Sequence, residues 1–139
     1  MSSRTKARKR AVDALFAADI RDADANDMLA AAKQQAHGQQ NQDEIFGYAE
    51  TVVNGVGAHL AEIDTYLEAY SEAWPVDRMA NLDRAILRAA TWEIIYSEDV
   101  PDVVAISEAV ELAKELCSDD SPKFINGLLG KISETKRVL

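Results

Sequence analysis

The sequence predicts an all-α protein, a bundle of six or seven helices. Three observations carry that reading. Apolar residues recur at alternating spacings of three and four along most of the 139 residues, the mark of one buried helical face. No segment gives a competing strand signal. The three prolines, Pro75, Pro101 and Pro122, fall at helix boundaries, where a missing N–H does least harm.

The first helix is expected over residues 3–20. Ala7, Ala11, Ala14, Leu15 and Ala18 form a stripe that Val12 and Phe16 widen. Basic residues share its first turns, against the helix dipole, at a cost of a few tenths of a kcal/mol or more. Accepting this cost is a hint that the charge is used elsewhere. Asp22 to Asp27 is a polar break, and Asn26 or Asp27 can cap a second helix from Met28 to about Gln35. His37 to Gln42 (HGQQNQ) reads as a flexible connection. From Asp43 the strongest periodicity begins, through Ile45, Ala49, Val52, Val56, Leu60, Ile63, Leu67 and Tyr70. Gly55 and Gly57 mark a kink, or a break between two stacked helices, and Pro75 ends the segment. His59 has no second ligand at a metal-like spacing and reads as an ordinary helix residue.

Met79 to Ser97 is a further helix, apolar around most of its circumference. Leu82, Ile86, Leu87, Ala90, Ile94 and Ile95 face neighbours, while Arg84, Arg88 and Thr91 form a narrow polar stripe. Ion pairing is expected for Arg88. Asp83 suits the dipole at the helix start, and can equally serve as a docking charge for a basic partner. The next helix runs from about Val103 to Cys117, with Val103, Ile106, Val110, Ala113 and Cys117 inward. Glu108, Glu111, Lys114 and Glu115 lie outward. The last begins at Ser121-Pro122, with Ser121 as cap and Pro122 in the first turn. Ile125, Leu128, Leu129 and Ile132 face the core. Phe124 beside Lys123 offers a platform for a base and its phosphate. A core phenylalanine next to a solvated lysine satisfies the same spacing.

Length and a 47% hydrophobic content suit one domain, residues 1–139, with a real core. No apolar run reaches the roughly 20 residues of a membrane span. No secretory leader is expected, because Asp13 and Asp19 interrupt the stretch after the basic start. Cys117 is the one cysteine, so neither an internal disulfide nor a cysteine-based metal cluster can form. A cytoplasmic protein is expected.

The charge is unevenly placed. Residues 1–10 hold Arg4, Lys6, Arg8, Lys9 and Arg10 and no acid, a charge of +5. The rest must then hold −14 to reach the total of −9. This reads as a basic arm, residues 1–10, on an acidic body. Such an arm can meet RNA while the body repels other polyanions, although a solvated tail has the same composition.

No catalytic constellation is found. Phosphate-cradling glycine loops, zinc-like spacings and nucleophile elbows are missing, so no enzyme and no cofactor are expected. Asp119-Asp120 is a carboxylate pair in a polar turn and reads as capping rather than acid–base chemistry.

Three segments carry a resemblance. VPDVVAISEAVELAKELCSDDSPKFINGLLGK (100–131) is similar to the C-terminal signature of the NusB family of transcription antitermination factors. LDRAILRAATWEI resembles the helix before it, and RTKARKRAVDALFAADI the family's arginine-rich first helix. The resemblance implies an all-α fold of two packed helical subdomains and a non-enzymatic RNA-binding role. It implies binding of single-stranded boxA RNA in nascent ribosomal RNA transcripts together with NusE, a small-subunit ribosomal protein. It further implies entry into the antitermination complex on RNA polymerase with other Nus factors. A homodimer with its RNA face covered or unused is an alternative. NusB-like domains also occur fused to RNA cytosine methyltransferases, but Cys117 lies inside a helical pattern and no cofactor loop accompanies it.

By the same resemblance, Arg4, Lys6, Arg8, Lys123 and Phe124 face RNA, and Asp120 is an acid beside its path. Phe16 and Asp83 face NusE. This chain departs in three places. Phe16 stands where relatives can carry tyrosine, Thr5 interrupts the basic run, and Pro122 replaces a polar residue.

Overall fold

The computed structural model describes residues 2–72 and 74–138. Among them are seven α-helices and a single 3-10 turn, with no strand. Helix α1 spans Ser3–Arg21, α2 Ala25–Gln35, α3 Gln42–Ala58 and α4 Leu60–Tyr70. The 3-10 turn at Val76–Arg78 leads into α5, Asn81–Tyr96. Helices α6, Asp102–Leu116, and α7, Ser121–Val138, complete the bundle.

Local chemistry sets most of these ends. The Ser2 hydroxyl accepts from the Thr5 amide at 3.0 Å and caps α1. Asp22, at φ +51°, closes α1 in a left-handed turn. Asp24 rather than Asn26 or Asp27 caps α2, accepting from the Asn26 amide at 2.8 Å, so α2 starts three residues before the expected position. The long apolar run divides at His59, whose ring stacks on Tyr96 with centroids 3.9 Å apart. His59 is therefore the break between α3 and α4, not an ordinary helix residue. That break resets the helical phase, which leaves Leu60 39% exposed while Ile63 and Leu67 are buried.

The helices pack as two groups. In one, α1, α2 and α3 pack on one another; in the other, α5, α6 and α7 do, with α4 against α5 and α7. Helix α5 touches both, packing on α1 and α3 as well as on α4, α6 and α7. Its burial follows: Ala85 to Ile94 are all buried except the half-buried Arg88. Thr91, expected on the polar stripe, is fully buried. Arg88 does pair with acids: Nε and Nη2 meet the two Asp64 oxygens at 2.9 Å each, and Asp19 lies at 3.3 Å.

In α7 the expected stripe is the observed one, with Ile125, Leu128, Leu129 and Ile132 buried. In α6 it is rotated. Ala105, Ala109, Leu112 and Ala113 are buried, and Val103 is 73% exposed. The rotation turns Glu108 inward to meet α1, where it accepts from the Thr5 hydroxyl at 2.5 Å and from Arg8 Nη1 at 3.0 Å.

A candidate nucleic-acid interface

The basic residues expected as an arm are the first turns of α1, packed against the body. Helical geometry then separates them. Ala7 and Ala11 are buried, and Arg8, one residue from Ala7 and four before Val12, points inward with them. The Arg8 side chain is 8% exposed. Its Nε lies 3.0 Å from each oxygen of Glu93, and the Tyr48 hydroxyl donates to the same carboxylate. Burial alone would disfavour a charged guanidinium. The hydrogen bond and charge of Glu93, with Tyr48 and Glu108, outweigh it and hold the Arg8 pKa above its ordinary value. Arg8 thus has no face to offer RNA, and its expected role as a phosphate contact is corrected to an internal ion pair.

The outward residues differ. Lys6 is exposed and pairs with no acid among the described residues. Arg4 lies over the Tyr48 ring at 3.8 Å and reaches Asp99 at 3.3 Å. Lys9 meets Glu115 at 2.6 Å. Arg10 lies over the Phe46 ring at 5.1 Å. Exposed pairs of this sort contribute about 0–1 kcal/mol, so a phosphate can displace their acids readily. Lys6, Lys9 and Arg10 share a cleft of about 540 Å³ between α1 and the α2–α3 loop, completed by Asp13, Gln39, Gln40, Gln42 and Ile45.

At the start of α7, Lys123 and Asp120 are exposed and Phe124 is half-buried against the core. Phe124 thus combines the two alternatives: one edge packs inward and the rest lines two clefts, of about 340 and 420 Å³. Trp74 lines both of them and is 54% exposed. Sequence reasoning passed over Trp74, although an aromatic outside any apolar stripe and next to Pro75 was a usable signal. Asp120 lines both clefts, and Lys123 and Lys131 line the larger. These clefts share no lining residue with the one at α1. The last turn of α6 lies between the two regions in the chain, and there Glu115 holds Lys9.

The two residues expected to face a protein partner fare differently. Phe16 is half-buried, and Ile20, one turn on, is 55% exposed, so an apolar strip does reach the surface of α1. Asp83 does not: it is 8% exposed. Its Oδ2 accepts from the Ser121 hydroxyl at 2.8 Å, and it also holds the Cys117 thiol. Asp83 is therefore a buried tie from α5 to the α6–α7 turn, and its expected docking role is corrected. Ser121 is corrected with it. Its hydroxyl donates to Asp83, and α7 begins at Ser121 itself, so the residue is not an outside cap.

Burial, and then the hydrogen bond and charge of Asp83, push the Cys117 thiol up to about 12 from an ordinary value near 9. The neutral thiol is favoured in the fold, so above about pH 9 the unfolded chain binds fewer protons and stability falls as pH rises. Asp83→Ala is expected to destabilise the fold by about 1–3 kcal/mol, because a buried hydroxyl loses its acceptor. It should also bring forward the ionisation of Cys117, read as faster thiol labelling at pH 9. Asp83→Asn, which keeps an acceptor, should recover most of the stability. An unchanged melting temperature in Asp83→Ala would return the residue to the surface.

The chain matches the model of the NusB family over residues 5–134. It is 52% identical over 139 residues to the transcription antitermination protein NusB of Kineococcus radiotolerans, covering 100% of this chain and 98% of that protein. Among solved structures it is similar to T. maritima NusB, with 30% identity and a TM-score of 0.84, covering 100% of this chain and 99% of that one. It shares its fold, at 24% identity and a TM-score of 0.86, with a chain of the antitermination factors NusB and NusE in complex with double-stranded RNA; 97% of this chain and 98% of that one are covered.

Proposed function

The chain belongs to the NusB family, and from that premise we propose that it is a transcription antitermination factor. It binds the boxA element of nascent ribosomal RNA transcripts as single-stranded RNA, together with NusE. The pair then joins the antitermination complex on RNA polymerase with other Nus factors, in the cytoplasm. It does so by binding, without catalysing a reaction.

The observation that carries this reading is the cleft where Lys6, Lys9 and Arg10 converge, on a chain whose net charge is −9. Cations gathered on one face let RNA dock there while the acidic remainder repels it elsewhere. Phe124, with Trp74 beside the same clefts, supplies the aromatic surface that single-stranded RNA recognition uses. Phe16 and Ile20 supply an apolar strip suited to NusE.

The test is RNA affinity at constant folded fraction. Phe124→Ala should weaken binding about tenfold or more, in line with about 1–3 kcal/mol for a lost base stack. Asp120→Asn removes one negative charge from the cleft wall and should tighten binding, more at low salt, where screening is weaker. The proposal for this end of α7 fails if folded Phe124→Ala binds RNA like the parent protein and Asp120→Asn shows no gain at low salt.

A further inference from the structure

The glutamine-rich segment between α2 and α3 is more than a connection. Gly38, at φ +88°, and Asn41, at φ +60°, turn the chain through left-handed backbone. The Gln39 amide donates to the Ala36 carbonyl at 3.1 Å, and Ala36 itself is buried. Gln42 braces the turn, its Nε2 donating to the Gln40 carbonyl at 3.0 Å. The loop so built forms the wall of the α1 cleft that faces Lys6, Lys9 and Arg10. Gln39 and Gln40 are exposed there, and their side-chain amides have no hydrogen-bond partner among the described residues.

We propose that Gln39 and Gln40 read a base edge of single-stranded RNA whose phosphates lie on Lys6, Lys9 and Arg10. The inference rests on the RNA-binding reading above and adds sequence preference to it. The chemistry is complementary. Cations hold phosphates without regard to sequence, and a neutral amide offers one donor and one acceptor side by side. Adenine shows the matching pair, an amino hydrogen beside a ring nitrogen. An unstacked base entering a cleft of about 540 Å³ brings that edge within reach of the loop.

The test uses a pool of randomised 12-nucleotide RNAs, bound to the full chain and sequenced. The parent protein is compared with Gln39→Ala/Gln40→Ala and with Lys6→Ala. Both variants alter exposed side chains, and circular dichroism checks that the folds agree. The glutamine variant should lose about tenfold preference at one or two positions, with the salt dependence of binding unchanged. Lys6→Ala should weaken every sequence alike and flatten the salt dependence. If the glutamine variant keeps every preference, or weakens all sequences equally, the proposal is overturned while RNA binding stands. If the parent protein binds no RNA even with NusE added, the functional reading fails, and this inference fails with it.

Discussion

Arg8→Ala is expected to destabilise the protein by about 3–5 kcal/mol, the cost of leaving a buried charge without its partner. The Glu93 side chain is 4% exposed, and Arg8 supplies two of its hydrogen bonds at 3.0 Å. Tyr48 from α3 and Glu108 from α6 complete the cluster, so four helices meet at one guanidinium. Arg8→Lys should recover only part of the loss, because an ammonium lacks the rigid fork that sets Nε on both Glu93 oxygens and Nη1 on Glu108 at once. A double variant with apolar residues of similar volume at positions 8 and 93 should cost less than Arg8→Ala, because no orphan charge remains. Urea unfolding with unchanged slope measures all three. If Arg8→Ala left stability within about 0.5 kcal/mol of the parent protein and lost RNA affinity instead, Arg8 would be a phosphate contact after all.

Gly55→Ala is the second large effect, and its sign is a contest between two terms. Alanine inside a helix is ordinarily favoured over glycine by about 0.5–1 kcal/mol. Here an added Cβ would lie 2.1 Å from Nε1 of Trp92 and 2.2 Å from its Cε2. Trp92 is a rigid ring, itself buried in the bundle, and has no free end to swing aside. Forcing α3 from α5 typically costs about 1–3 kcal/mol, so the net change is a loss. Gly47, on the same helix with open space around its Cα, is the control. Gly47→Ala should be neutral or stabilising by up to about 1 kcal/mol. Equal melting temperatures for Gly55→Ala and the parent protein would mean that α3 and α5 are not in contact at this point.

Where a helix carries one unbroken apolar stripe, its packing was legible in the sequence. Ile125, Leu128, Leu129 and Ile132 were placed by spacing alone and are buried. Two of the site readings that failed involve charged residues turned inward. Arg8 stands four before Val12 and seven before Leu15, on the apolar side of α1. Lys6 stands four before Arg10 and seven before Asp13, on the polar side. The periodicity separates the two, but a run of basic residues reads as one feature and masks the side on which each lies. Asp83 has the same history, because Ile86 and Leu87 share its face. The α6 stripe was misplaced because two apolar stripes compete there: Ala105, Ala109, Leu112 and Ala113 are buried, and the same face brings Glu108 to Arg8, a pairing a hundred residues apart. Of the candidate site, the outward cations and Phe124 were legible from charge and position. Trp74 and the wall built by Gln39 and Gln40 were not, because both lie outside the helical periodicity on which the reading depended.

On this reading the outward cations of α1 hold RNA phosphates. The most direct measurement of this is the slope of log K against log salt for a single-stranded RNA. With Arg8 turned inward, Arg4, Lys6, Lys9 and Arg10 remain, and four neutralised phosphates correspond to a slope of roughly −3. Lys6→Ala/Arg10→Ala removes two of them and should flatten the slope by about 1.4, with the helical circular dichroism unchanged. A slope identical in the variant and the parent protein would show that the face of α1 does not carry the RNA.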